Sequence, residues 1–499
     1  MLKAESTQPP SRNFGSGSAA ADAPRPASTA GRQQASGSLS AKTDWGYSIA
    51  LLAIALSPRL LVALAFAREP VWDGHYYHFG ATRIAEGLGY SEDVIVDGIS
   101  VWKPWTHYPV GYSGFLAIFY RLFGSHIEVA PVVNAFVGAG LVVVVHRVAR
   151  YMLGPIRARI AGALCALHPG LIAYAAVVMT EPTAAFFVLL ASWVVLRRMH
   201  QPTAFLLAGF LLGLATLIRP VSLLCAPALV LLSGRLDLRG LRNAALATLM
   251  ALLTLAPWTI RNCKVMDGCA LVSTNGGWNL AIGALTESGR FRTLRAADGC
   301  EVVTGQVQQD RCWAQTGAEI IYADPKAWLR KVPKKLGQTY DHESFPVEYL
   351  HEAAPEMWPQ ERRIAGHGLL TLFHWLLMTA AALSPVFLIT RTRNRVSFVT
   401  QALLLLSTAA YASYCFADPE HPFFALMVMV PVVAALPFPG AAAKTPAERY
   451  LMGLLLLTTI THAVFFGEDR YHLVISPVLC ILAAAALRVR SVAAQPTSS

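Results

Sequence analysis

Apolar segments long enough to cross a bilayer follow one another along nearly the whole chain, and a water-soluble core could not hold them all. They lie near residues 46–67, 127–151, 160–176, 181–197, 203–218, 220–234, 243–260, 367–390, 396–416, 421–438, 450–466 and 471–488, about twelve in all. The fifth and sixth are short and meet at Arg219-Pro220, so they also read as one broken span. Of the 499 residues 55% are hydrophobic and only 14% charged, which excludes an ordinary soluble domain of this length. The expected fold is an all-α polytopic membrane protein.

The formal charge of +11 would suit a nucleic-acid binder if it formed one basic face. Instead the Arg and Lys residues sit in short clusters between apolar segments, the pattern that marks cytoplasmic loops, so the bilayer is the expected partner and nucleic acid is not. With residues 1–43 inside, alternate connections carry Arg147, Arg150, Arg157 and Arg159, then Arg197 and Arg198, then Arg235, Arg239 and Arg242. Arg391, Arg393 and Arg395, Lys444 and Arg449, and the terminal Arg488 and Arg490 continue the series on the same side. The implied organisation is a disordered tail over 1–43 with no cleavable signal, a membrane module over 44–260, a large outer loop over 261–366, membrane helices over 367–490 and a short tail over 491–499. Residues 68–126 form the other outer loop.

Chemistry should therefore be sought in those two outer loops. In the first, Tyr77, Ala81, Ile84 and Leu88 recur at helical spacing behind Asp73, until Gly87 and Gly89 end the pattern, which predicts a helix lying along the interface. Tyr108–Gly124 is too short and too rich in Pro and Gly to span, and predicts a second interfacial helix. The large loop mixes a Gly-rich start, TNGGWN, with a helical stretch over Pro325–Tyr340, so a small mixed domain capping the membrane helices is expected. It also holds Cys263, Cys269, Cys300 and Cys312. An oxidising compartment allows three pairings of these, of which the short rings favour Cys263–Cys269 and Cys300–Cys312 over free thiols.

Asp73 has two readings: an N-cap that accepts backbone N–H bonds, or a general base at the membrane surface. Glu181, in MTEP at the mouth of a span, either favours the helix dipole beside Pro182 or belongs to a cleft. Arg219, Arg261 and Arg470 stand at the outer ends of three different spans. They either snorkel to lipid headgroups or clamp a phosphate, which a guanidinium grips bidentately. Arg59 lies inside the first span, so a partner such as an acid or a lipid phosphate is expected. His75, His78, Glu86, His342, Glu343 and His351 are external, but their spacing is diagnostic of no metal site; a divalent metal stays open and no cofactor is assigned. P-loop, dinucleotide and nucleophile-elbow motifs do not occur.

Several separated stretches resemble one family in order and spacing. These are VWDGHYYHFGATRIAEGLGY, YPVGYSGFLAIFYRLFG, ALHPGLIAYAAVVMTEP, LGLATLIRP, APWTIRN with STNGGWNLAIG, and GEDRYHLVISP. The family is the GT-C superfamily of membrane glycosyltransferases, in the branch of the protein O-mannosyltransferases and the lipid A aminoarabinose transferase. The resemblance implies a sugar transferred from a polyprenyl-phosphate carrier to a lipid, glycan or protein acceptor at the outer face of the inner membrane. It implies Asp73 as base, Glu181 in the catalytic cleft, and Arg219, Arg261 and Arg470 towards the carrier phosphate. The chain departs from the family at Tyr108, where aminoarabinose transferases carry Lys, at Pro109-Val110, and at Asp73-Gly74, where many protein mannosyltransferases have two acids. A flippase for a lipid-linked sugar is the alternative, and it predicts charge at mid-membrane and repeat symmetry between the halves.

Overall fold

The computed structural model describes residues 30–233, 237–301, 305–385, 395–419, 422–436 and 444–487, with side chains from residue 45 onward. The chain divides into two compact units, Met1–Tyr47 and Ser48–Ser499. Of the first, the described part is the beginning of helix α1 (Ala30–Ala65). Its residues 30–43 were expected to be disordered, yet no proline lies between Pro26 and Pro58 to stop a helix growing back from the apolar span. Residues 1–29, Arg235, Arg391, Arg393, Arg488, Arg490 and the tail 491–499 fall outside the described residues.

The second unit is a helical assembly whose elements follow the apolar segments. Among the described residues five helices are long and apolar enough to cross a membrane: Trp45–Ala65, Val129–Ala149 (α4), Leu238–Val265 (α10), Gln360–Ala382 (α15) and Phe398–Ala417. Others are shorter. The segment 160–176 breaks at Pro169 into α5 (Pro155–Ala166) and α6 (Pro169–Ala173), because a proline cannot continue a helix. Helices α7 (Glu181–Arg197) and α8 (Pro202–Ile218) fill the next two segments. After Arg219-Pro220 the sixth segment is a chain of single turns: 3₁₀ over Pro220–Leu224, α9 (Cys225–Ala228), then 3₁₀ over Leu229–Leu232. The last segment likewise opens with a 3₁₀ turn, Tyr471–Val474, before the helix Ser476–Ala486.

Between the first two long helices, α2 runs Asp73–Ala85 and α3 Val110–Phe123, and the two pack together. Between them lies a hairpin that the periodicity did not suggest: β1 (Ser91–Val96) pairs antiparallel with β2 (Ile99–Pro104). Its two-residue turn, Asp97-Gly98, has φ of 52° and 79°, the left-handed pair that matches the strand twist. Among the described residues of 261–366 there are helices and turns only: α11 (Gly276–Leu285), α12 (Gln306–Ala323), α13 (Pro325–Tyr340) and α14 (Phe345–Ala353). Ala281, Ile282, Leu294 and Trp313 form a core together with Phe466. Disulfides join Cys263 to Cys269 and Cys300 to Cys312.

Arg59 is fully buried. Its partners differ from the acid or phosphate expected: Nη1 donates to Ala55 O at 2.8 Å and Ala166 O at 2.9 Å, and Nη2 to Cys165 O at 3.1 Å. Those last two carbonyls end α5, where the helix dipole is negative, so a helix terminus neutralises the guanidinium.

Candidate active site

Asp73 opens α2, and the residue before it is strained. Trp72 has φ 51°, a left-handed conformation that costs a bulky residue energy. It is held against Phe345 and Tyr349, with ring centroids 5.6 and 5.9 Å away. Trp72, and not Asp73, stands at the N-cap of α2, and the Asp73 carboxylate faces side chains of other elements. Oδ1 instead accepts the Tyr108 hydroxyl at 2.6 Å and Oδ2 accepts Arg470 Nη1 at 2.6 Å, with the side chain 23% exposed. Burial alone would raise the Asp73 pKa, but the Arg470 charge and the hydrogen bonds from Tyr108 and Arg470 outweigh it and hold the carboxyl below its ordinary value. It is an ionised acceptor with one open edge. Gly74 explains why a second acid is missing: a Cβ there would strike the Tyr349 hydroxyl and stand 3.0 Å from Val178 O.

Arg470 comes from the turn before the last helix. Besides Asp73 it approaches Glu468 Oε2 with Nε at 2.6 Å, and its guanidinium lies 5.1 Å from the centre of the Tyr471 ring. The acids Glu468 and Asp73 raise the Arg470 pKa further against the pull of burial, so the cation is permanent. A second pair stands on the same ring. Arg219, freed from α8 by Pro220, donates to Glu181 Oε1 at 2.7 Å and Thr180 Oγ1 at 3.1 Å, and lies 5.4 Å from the Tyr471 centroid. Glu181 is fully buried, and its Oε2 has no hydrogen-bond partner among the described residues. Two acid–arginine pairs therefore flank one tyrosine. Beside them opens a groove lined by Val188, Leu189, Leu454 and Leu457 together with Arg219 and Tyr471.

The remaining candidates lie elsewhere. Arg261 donates to Tyr90 O at 2.6 Å and Trp105 O at 3.0 Å and covers the Trp258 ring at 4.7 Å, so it fastens the base of the hairpin to α10. His75, His78, His342 and His351 do not converge either. His78 Nδ1 meets the Tyr120 hydroxyl at 2.6 Å, His75 stacks on Phe79, His342 Nε2 meets Arg290 Nη2 at 3.1 Å and His351 Nδ1 meets Trp358 O at 3.0 Å. Sequence reasoning did not single out Glu468 or Tyr471, although both stand in the quoted GEDRYHL, and it treated Tyr108 only as a departure. A residue that must hydrogen-bond a carboxylate has no spacing signature.

A helical membrane protein with paired acids and arginines at one end of its bundle is the class that fold and site define. Residues 107–260, which include Tyr108, Glu181 and Arg219, match the family model described as dolichyl-phosphate-mannose-protein mannosyltransferase. No curated protein matches the chain. Among solved structures it is similar to the archaeal oligosaccharyltransferase AglB from Archaeoglobus fulgidus, in complex with an inhibitory peptide and a dolichol-phosphate. Identity is 13% and TM-score 0.42, over 89% of this chain and 50% of that one. It is also similar to ArnT from Cupriavidus metallidurans in the apo state, at 17% identity and TM-score 0.36, over 89% and 77%. The same protein bound to undecaprenyl phosphate gives 16% and 0.36, over 88% and 77%. The chain spans about half the length of the oligosaccharyltransferase.

Proposed function

We propose that this protein is an inverting glycosyltransferase of the inner membrane, with about twelve crossings, its N terminus inside and its site on the outer face. The donor is a polyprenyl-phosphate-linked sugar, and the acceptor is a hydroxyl on a lipid, envelope glycan or protein. One observation carries the reading: Asp73 is held, ionised, between Tyr108 and Arg470. Asp73 takes the proton of the acceptor hydroxyl as that oxygen bonds to the anomeric carbon. The bond from that carbon to the phosphate oxygen breaks on the opposite face, and Arg470 and Arg219 receive the departing anion.

Support for a lipid-phosphate donor comes from the description of the matched family, which names dolichyl phosphate mannose, and from the apolar groove that includes Arg219. The flippase reading needs charge free to act at mid-membrane, and Arg59 is occupied by helix carbonyls. The test is purified full-length protein in proteoliposomes given a radiolabelled polyprenyl-phosphate sugar and total envelope lipid, glycan and protein fractions. Label is expected in one fraction with inversion at the anomeric carbon. Passage of intact donor across the bilayer with no transferred label would refute the transferase.

A further inference from the structure

Close in sequence to Arg470, three buried groups that the proposed transfer does not use converge. Glu343 lies in the link between α13 and α14, His374 on α15 about four turns from its outer end, and His472 in the 3₁₀ turn two residues after Arg470. Their relative exposures are 1%, 0% and 0%. One candidate ligand atom from each lies within 4.8 Å of the others, and His472 Nε2 stands 3.7 Å from Glu343 Oε2. That is too long for a hydrogen bond. Four polar atoms there have no hydrogen-bond partner among the described residues: both Glu343 oxygens, His374 Nδ1 and His472 Nε2.

The two imidazoles are oriented from behind. His374 Nε2 meets Tyr340 O at 2.9 Å, and His472 Nδ1 meets Thr339 O at 2.7 Å. A carbonyl only accepts, so in each ring that nitrogen carries the proton and the other, inward nitrogen presents a lone pair. Consecutive backbone carbonyls thus set both tautomers, the support that metal-bound histidines require. The inward atoms are then acceptors only: two nitrogen lone pairs and a carboxylate. Three acceptors facing one another in a site closed to water repel, and an unpaired buried carboxylate costs several kcal/mol. Gly170 is needed for the arrangement, since a Cβ there would overlap the Glu343 carboxyl.

We propose that Glu343, His374 and His472 bind one divalent transition-metal ion of the zinc type. Two imidazoles and a carboxylate suit zinc, whereas magnesium and calcium prefer all-oxygen shells. Tetrahedral bonds of about 2.0–2.1 Å set ligand atoms about 3.4 Å apart, so closing on the ion requires only a few tenths of an ångström between His472 and Glu343. The ion ties the α13–α14 link and α15 to the turn that carries Arg470, and so fixes where that arginine stands. Its role is structural, and the inference holds whether or not the chain transfers a sugar.

The experiment is metal analysis of the full-length protein, purified in detergent with a histidine-free tag and no chelator, by inductively coupled plasma mass spectrometry. One zinc per chain is expected, or one zinc regained when chelator-treated protein is titrated with zinc chloride alone. Glu343→Gln keeps the shape and should weaken binding at least about 100-fold while the protein stays monodisperse. His374→Ala and His472→Ala should abolish it. Hydrogen exchange of Asp469–Tyr471 should quicken on zinc removal. Wild-type protein that takes up no zinc, a Glu343→Gln variant that binds as tightly as wild type, or preferential uptake of magnesium would overturn the assignment.

Discussion

Replacing Asp73 by Asn separates a catalytic carboxylate from one that merely holds an arginine. The amide still accepts the Tyr108 hydroxyl, and Arg470 keeps Glu468 at 2.6 Å, so its charge is not stranded. The pair is partly exposed, 13% and 23%, and one of its two acids remains, so the loss of stability should be about 1–2 kcal/mol. The rate should suffer far more. General-base catalysis contributes about 100- to 10,000-fold, or roughly 3–5 kcal/mol of barrier, and an amide cannot supply it. Donor affinity should hold or improve, because Arg470 loses a competitor for the phosphate. The assay is initial rate against donor concentration in proteoliposomes, with detergent-solubilised protein checked by size exclusion. A kcat that collapses at unchanged or lower KM is expected. Near-normal turnover, or a raised KM with kcat preserved, would mean that Asp73 only positions Arg470.

Tyr108→Phe removes one of the bonds that keep Asp73 ionised. Activity requires the carboxylate and falls as pH drops through its pKa, so the acidic limb of the kcat profile should move to higher pH in the variant, and an unmoved limb would count against the base. Lys335 is fully buried and donates to Ala463 O and Val464 O, and desolvation followed by repulsion from Lys331 lowers its pKa to about 8. A folded pKa below the unfolded one gives stability that is present at high pH and lost as pH falls through about 8. Wild type should therefore gain on the order of 1 kcal/mol between pH 7 and 9 in thermal unfolding, and Lys335→Met should flatten that rise. Reporter fusions after Gly89 and after Gly305 should both behave as external; a cytoplasmic signal from either would end the topology and the site together.

The membrane class and the order of its helices were legible because each is a local property. A run of apolar residues must leave water wherever it falls, and Pro325–Tyr340 and Glu181–Arg197 begin and end where proline and charge say they should. The hairpin had a local signal only in its turn, Asp97-Gly98, because Val94, Ile95 and Val96 are consecutive apolar residues and do not alternate. Which acid meets which arginine was not legible. Asp73 and Arg470 are 397 residues apart, and nothing in either neighbourhood distinguishes that pair from Asp73 with Arg261, a residue that the fold uses to staple backbone carbonyls. The same holds for His374, which in the sequence is one histidine within an apolar helix and acquires acceptors around it only when α15 packs beside Tyr340 and His472. Burial of apolar surface is additive along the chain and can be read from it residue by residue. The pairing of charges depends on distance and on exclusion of water, and both exist only once the helices have packed.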